Sequence, residues 1–365
     1  MIPVRNLTRQ DAALRPEIDA AVKRVLARGR FILGPEVDSF ERAFAGYCGV
    51  QHCVGVASGT EALQIALLAA GIEPGDEVIT VAHTAAATVA AVELAGARPV
   101  LIDIDPERLT LNPRLLPAAI TPRTRAVLPV HIYGQPAELG PILAVAAQYQ
   151  LAVIEDCAQA AGALYEGKPV GAWGRAAAFS FYPTKPLGAY GDGGAVVTDD
   201  ADIAAAAREI RQYGWDADRV SRRKGLNSRL DELQAAVLGV KLNHLEDGNA
   251  ERRRLAEQFE ENLSAAGLEK PKFFPDSRSA WHAYVVRHPD RDGLRTHLLR
   301  RGIQTSVHYP VPVHLQPGFS DLEQPAGSLP ETETAAREVL TLPLYPGLRD
   351  DELRGIIHAV NEFGK

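Results

Sequence analysis

A short apolar run followed by a run with helical spacing recurs along the first half of this chain, and that alternation is its tightest constraint. "HCVGVAS" leads into "GTEALQIALLAAG", "DEVITVA" into "TAAATVAAVELAGA" and then "RPVLIDID". "TRAVLPVHI" leads into "GPILAVAAQYQ", and "LAVIED" into "CAQAAGA", read here as the next helix. In the first of the helical runs Leu63, Ala66, Leu67 and Ala70 fall on one face. Strands that alternate with helices have to build a mainly parallel sheet, because each helix carries the chain back to start the next strand and covers one sheet face. The expected class is α/β. In such sheets ligands collect beyond the carboxyl ends of the strands.

Past "NSRLDELQAAVLGVKLNHL" the pattern changes. A long charged helix runs through "EDGNAERRRLAEQFEENLSAAG", followed by proline-rich loops and a strand "AWHAYVVRH". "GLRTHLLRRG", a loop "VHYPVPVHLQP" and a last helix near "DDELRGIIHAVNEF" complete the chain. These changes divide the protein into a large domain over residues 1–242, with an N-terminal arm, and a small C-terminal α+β domain over 243–365. No internal repeat or low-complexity tract interrupts either part.

Of the 365 residues 46% are hydrophobic and 23% charged, the balance of an ordinary soluble domain with a sizeable core. A net charge of −7 argues against a nucleic-acid partner. Two basic runs stand against that balance, Arg222-Arg223-Lys224 and Arg252-Arg253-Arg254; the acidic flanks of the second suggest a solvated helix face. Cys48, Cys53 and Cys157 form no zinc pattern, so no metal is expected, and their odd number suits a reducing cytoplasm. "MIPVRNLTRQD" lacks the apolar centre of a signal peptide. Residues 85–97 are too few, and Glu93 too polar, to span a bilayer. A cytoplasmic protein without a membrane partner is expected.

Four elements fall at strand ends. "SGTEA" follows an apolar strand and opens a helix, where unpaired N–H groups and the Thr60 hydroxyl offer an anion site or only a cap. "AVIEDCAQA" ends a buried strand in two carboxylates; Asp156 is either a cap or a partner for a cationic ring nitrogen, with Gln159 one turn later. "SFYPTKPLGAYGDGG" places Lys185 among prolines and small residues, where a solvated surface lysine is the ordinary outcome. "NSRLDE" opens another helix with Asn227 just ahead of it. Together they suit one chemistry. A lysine in a crowded, partly desolvated site keeps some unprotonated amine for a Schiff base. Pyridoxal 5′-phosphate needs that lysine, a carboxylate for its pyridinium nitrogen and a phosphate cradle.

On "ASGTEAL", "GIEPGDEVIT", "VIEDCAQAAGA", "SFYPTKPLGAYGDGGAVVT", "GLNSRLDELQAAVLGVKL" and "IQTSVHYPVPVHLQP", the chain resembles the DegT/DnrJ/EryC/StrS family of pyridoxal-phosphate-dependent sugar-nucleotide aminotransferases. The resemblance runs in order from about Asn6 to the C-terminus. It implies fold type I: a mostly parallel seven-stranded sheet flanked by helices, a small C-terminal α+β domain, and a homodimer with shared active sites. Lys185 would hold the cofactor and move a proton, Asp156 would keep the pyridine nitrogen protonated, and Gln159 would face the ring's 3-oxygen. Gly59, Thr60 and Ser180 would bind phosphate, joined by Asn227 from the partner subunit. Tyr182, Arg229, His308, Tyr309 and His314 correspond to substrate positions; the histidines could equally be structural, and Arg229 with 219–224 a solvated face.

Two positions depart from the family pattern. Ala85 stands where an aromatic residue usually stacks on the cofactor ring, leaving His83 as the other candidate cover, and Pro186 replaces a common asparagine. The implied reaction moves an amino group from L-glutamate to a nucleotide-linked keto-sugar. "QYGW" with "GLNSRLDELQAA" is similar to enzymes for dTDP-linked 3-keto-6-deoxyhexoses, whereas "KPLGAYGDGG" resembles the branch acting on UDP-linked 3-keto-sugar uronates. A 4-keto-sugar is a further alternative. A non-catalytic regulator on the same fold is the reading from a different class. A nicotinamide-dependent dehydrogenase fares poorly, because no G-x-G-x-x-G follows the first strand.

Overall fold

Every residue of the runs "EVITV", "AVIED" and "GAVVT" is buried, as strands covered on both faces must be. The structure is a computed structural model that describes residues 1–364. Its strands are β1 (His52–Val56), β2 (Glu77–Val81), β3 (Arg98–Ile102), β4 (Thr124–Val127) and β5 (Ala152–Asp156), then a short hairpin of β6 (Leu164–Tyr165) and β7 (Lys168–Pro169). β8 (Ala176–Ser180), β9 (Gly194–Thr198), β10 (Tyr284–Arg287) and β11 (Val339–Leu342) follow.

Seven strands form one sheet in the order β1-β9-β8-β5-β4-β2-β3. β9 runs antiparallel to both neighbours, and the other pairings are parallel. β1, β2, β4, β5 and β8 therefore end on the same edge of the sheet. The chain adds β3 on one side of β2 and then β4 on the other, a reversal of the kind that opens a crevice at the strand ends. β10 and β11 make a separate antiparallel pair.

The helix Gly59–Ala69 buries Ala62 through Leu67 against the sheet. On the other side Phe40, Phe44, Phe179 and Phe181 meet edge to face and fix the end of β8. A further hydrophobic cluster, with Leu255, Phe259, Tyr284, Leu340 and Ile356 at its centre, forms the core of the C-terminal part. The N-terminal arm is tied to that part by paired backbone bonds, Ile2 N–H to the Gly302 carbonyl at 2.7 Å and Gln304 N–H to the Ile2 carbonyl at 2.9 Å.

Two expectations need correction. "CAQAAGA" is not a helix: residues 157–163 make successive turns, with Ala160 N–H bonded to the Cys157 carbonyl and Ala163 N–H to that of Ala160. Gly162 takes φ +90°, in the left-handed region that ends helical growth, and β6 begins two residues later. Asp156 accordingly caps a turn, its Oδ1 accepting from Ala158 N–H at 3.1 Å. Nor is the second basic run wholly solvated. Arg252 is only 1% exposed, because it shares the inward face of the helix Leu245–Asn262 with Leu255, Ala256 and Phe259. Arg254 stays at the surface, paired with Glu251 and Asp350. Among the described residues no helix is long and apolar enough to cross a membrane.

Candidate active site

A cavity of about 240 Å³ opens at the strand-end edge. β1 delivers the chain to Ser58, whose side chain accepts from Glu61 N–H and caps the helix Gly59–Ala69. The first backbone bond of this helix comes from Ala62 N–H to the Ser58 carbonyl, so the Gly59 and Thr60 N–H groups precede the ladder and are available to an anion. Gly59 is needed for closeness. A Cβ there would lie 2.5 Å from Ser180 Cβ at the end of β8. Gly59, Thr60 and Ser180 thus come together on one wall.

Asp156, at the end of β5, lies on the same cavity and is nearly fully buried. Its Oδ2 accepts from the Thr88 hydroxyl at 2.8 Å, and Thr88 in turn meets the Thr84 hydroxyl at 2.7 Å. Burial raises the Asp156 carboxyl, while bonds from Ala158 and Thr88 and the Lys185 charge work in the other direction. Lys185 follows a tight turn, its N–H bonded to the Tyr182 carbonyl at 2.9 Å. Burial lowers its ammonium to about 8; Asp156 opposes that shift and Arg5 adds to it. The site therefore holds an amine that is partly neutral near physiological pH, facing a carboxylate.

Gln159 is on the cavity wall, its Oε1 accepting from Tyr133 N–H at 2.7 Å and its Nε2 donating to the Tyr309 hydroxyl at 3.1 Å. Burial pushes the Tyr309 hydroxyl up to about 12, with the Asp156 charge adding to the effect, so it stays protonated. Ala85 and Tyr182 also line the cavity, Tyr182 being half exposed.

Six of the expected site residues lie off this wall. His83 is buried behind it, its Nε2 2.8 Å from the Tyr133 hydroxyl and its ring edge-on to that tyrosine. Burial lowers it to about 4, so it is neutral. His308 bonds the Thr341 hydroxyl through Nδ1 at 2.8 Å, and its carbonyl accepts from the Tyr133 hydroxyl. Tyr309 reaches the wall only through Gln159. His314 is buried against Glu333 at 3.2 Å, a contact that holds its loop. Asn227 is exposed and Arg229 partly so. The neighbouring Ser228 links this segment to the anion cradle by donating to Glu61 at 2.7 Å.

Thr84, Thr88, Tyr133 and Arg5 were not singled out in the sequence. The threonine pair had a signal, since "HTAAAT" spaces the two hydroxyls four residues apart at a helix start. Buried His131, Glu155 and Cys157 also cluster within 4.8 Å, a grouping that could suggest a metal. Glu155 is already filled: it accepts from His131 at 3.1 Å and from the N–H groups of Gly171, Trp173 and Gly174 at 2.8–2.9 Å. The group is a hydrogen-bonded support under β5.

The DegT/DnrJ/EryC1/StrS aminotransferase family profile matches residues 12–361, and the chain belongs to that family. It is 48% identical, over 100% of its length and 96% of the relative's, to the dTDP-3-amino-3,4,6-trideoxy-alpha-D-glucose transaminase of Streptomyces venezuelae. A Saccharopolyspora erythraea protein named erythromycin biosynthesis sensory transduction protein EryC1 is 50% identical, with 95% of each chain covered. Among solved structures, S. venezuelae DesV in complex with a ketimine intermediate superposes with a TM-score of 0.97 at 48% identity, covering 99% of this chain and 98% of that one. The fold is that of the family's aminotransferases.

Proposed function

We propose that the protein is a pyridoxal-phosphate-dependent aminotransferase that moves an amino group from L-glutamate to a nucleotide-linked keto-sugar, with a dTDP-linked 3-keto-6-deoxyhexose as acceptor. The observation that carries the substrate class is the full-length 48% identity to a dTDP-sugar transaminase. The residues present fit the cofactor. A glycine-spaced cradle of N–H and hydroxyl donors suits a phosphate, buried Asp156 suits a pyridinium nitrogen, and Lys185 suits an aldehyde. When bound, pyridoxal phosphate supplies an electron sink for the carbanion formed when a proton leaves the amino-bearing carbon.

The chain's own residues do the rest. Lys185, partly neutral because it is buried, holds the cofactor and then serves as the base that accepts the substrate proton and returns it. Asp156, supported by Thr88 and Ala158 N–H, would pair with the ring nitrogen. Gly59, Thr60 and Ser180 would hold the phosphate, and Gln159, braced from behind by Tyr309, would face the ring. Ala85 offers no aromatic surface on this wall, so the polar groups at its two ends would do most of the holding. Two copies form a homodimer in which Asn227, exposed on its own subunit, completes the cradle of the other.

The test is the visible spectrum of the purified protein with pyridoxal phosphate. A yellow band that bleaches with L-glutamate and returns with a dTDP-linked 3-ketone is expected; return only with a UDP-linked uronate would move the substrate to the other branch. The sensory-transduction name of one relative keeps a regulator in view. Lys185→Ala separates the two readings. The variant should lose the yellow band and roughly 10²–10⁴-fold in turnover, whereas a regulator would keep its binding activity.

A further inference from the structure

A second cavity, of about 460 Å³, opens where the N-terminal arm crosses onto the C-terminal part. Its wall takes Arg5 from the arm, Thr184 from the lysine loop, and His282, Arg295, Thr305 and His308 from the C-terminal part. Thr184 precedes Lys185 in the chain, and the Lys185 charge couples to Arg5, His282 and His308 of this wall, although its side chain lines the first cavity. Two arginines and two histidines line it, and no aspartate or glutamate does.

Of the two arginines Arg295 is exposed and Arg5 is the more enclosed. Its guanidinium donates to the His282 carbonyl and lies 3.4 Å from His282 Nδ1, and among the described residues no carboxylate pairs with it. The Thr305 hydroxyl, on the same wall, is buried without a hydrogen-bond partner. Electrostatics tell the same story. Burial holds Arg5 down to about 10. Burial, then the charges of Arg5 and Lys185, lowers His308 to about 4 and His282 well below the usual imidazole range. A cavity that collects positive charge and an unpaired donor without any internal counter-charge is built for an anion.

We propose that this cavity is a subsite for a substrate carboxylate, held by the Arg5 guanidinium and the Thr305 hydroxyl while the reacting carbon lies at Lys185. The proposal rests on the transamination reading above. A guanidinium fork matches a carboxylate with two parallel bonds. A sugar-linked diphosphate fits less well, because a whole sugar ring separates it from the carbon being aminated. The carboxylate has two possible sources, the amino donor or a uronate-type sugar.

Calorimetric titration with glutarate, a plain dicarboxylate that cannot react, tests the subsite apart from turnover. Arg5→Leu should weaken glutarate binding at least tenfold, and Arg5→Lys should restore part of it. Thr305→Val, close to isosteric, should weaken it severalfold and serves if Arg5→Leu does not fold. Unchanged glutarate affinity in folded variants would overturn the proposal, and so would weakened binding of pyrophosphate with glutarate unaffected. If Arg5→Leu raises the half-saturating L-glutamate in spectral bleaching but not that of the ketone, the donor is the source. The reverse, seen with a uronate ketone and not with a neutral one, assigns the sugar. Should the wild type never bleach with an amino donor, transamination fails while the glutarate titration still reports on Arg5.

Discussion

Burial lowers the Lys185 ammonium to about 8, and two charges then act on it in opposite senses, Asp156 raising it and Arg5 lowering it. Only the neutral amine attacks an aldehyde, so capture of pyridoxal phosphate by cofactor-free protein should accelerate as pH rises through about 8. Removing the negative charge with Asp156→Asn makes the proton easier to lose and should move that midpoint to lower pH. Arg5→Leu removes a positive neighbour and should move it to higher pH. Stopped-flow absorbance across a pH series reads both, and a midpoint that moves the same way in the two variants would refute the electrostatic account. Lys185 and Asp156 were legible in the sequence because each sits in a local motif whose residue types suit one chemistry. Arg5 was not. Its partner His282 is 277 positions away, and nothing local distinguishes this arginine from the surface arginines around it.

At the scale of elements, "ED" at the end of β5 shows how alternation sorts two like residues. Successive strand side chains point to opposite faces, so Asp156 meets the cavity while Glu155 turns to the other side and gathers Gly171, Trp173 and Gly174 N–H with His131. Burial alone would raise Glu155, but the His131 bond and charge and those backbone donors hold it below the ordinary carboxylate value. Its folded value is depressed, so its stabilisation is complete above the unfolded carboxylate range and is lost as pH falls through the folded one. Glu155→Gln turns a donor toward groups that are themselves donors, leaving at least one buried N–H unpaired. Urea denaturation near pH 7 should show a loss on the order of 1–3 kcal/mol, and a variant as stable as wild type would sink this reading. The strands were readable because apolar runs of about five residues bounded by turn residues have few other outcomes. The helix expected at "CAQAAGA" failed because its alanines suit a helix locally, whereas Gly162 and the β6–β7 hairpin demand a turn. Nor does a local pattern encode that β9 runs against its neighbours. "GAVVT" reads like any buried strand, and its direction follows from a connection after β8 that contains no helix.

For the whole molecule, a single chain brings Lys185, Asp156 and the proposed anion cradle to one cavity, yet leaves Asn227 exposed and off its wall. Large apolar side chains are exposed as well, with Phe31, Ile32, Tyr182, Tyr213 and Val220 each two-fifths exposed or more. Both facts are accounted for if a second copy of the chain covers these residues and the two sites exchange Asn227. Hybrid dimers test this directly. Lys185→Ala and Asn227→Ala should each be severely impaired alone. When the two are mixed and allowed to exchange subunits, half the dimers are hybrids. In a hybrid, shared sites place both substitutions in one site and leave the other intact. Activity should therefore return to about a quarter of the wild-type value per site, the arithmetic of a two-fold dimer with random pairing. If Asn227 instead served its own subunit, every hybrid site would carry one lesion and mixing would restore nothing. A return of activity without a dimer in light scattering would also overturn the shared-site arrangement, because the complementation has no other physical route.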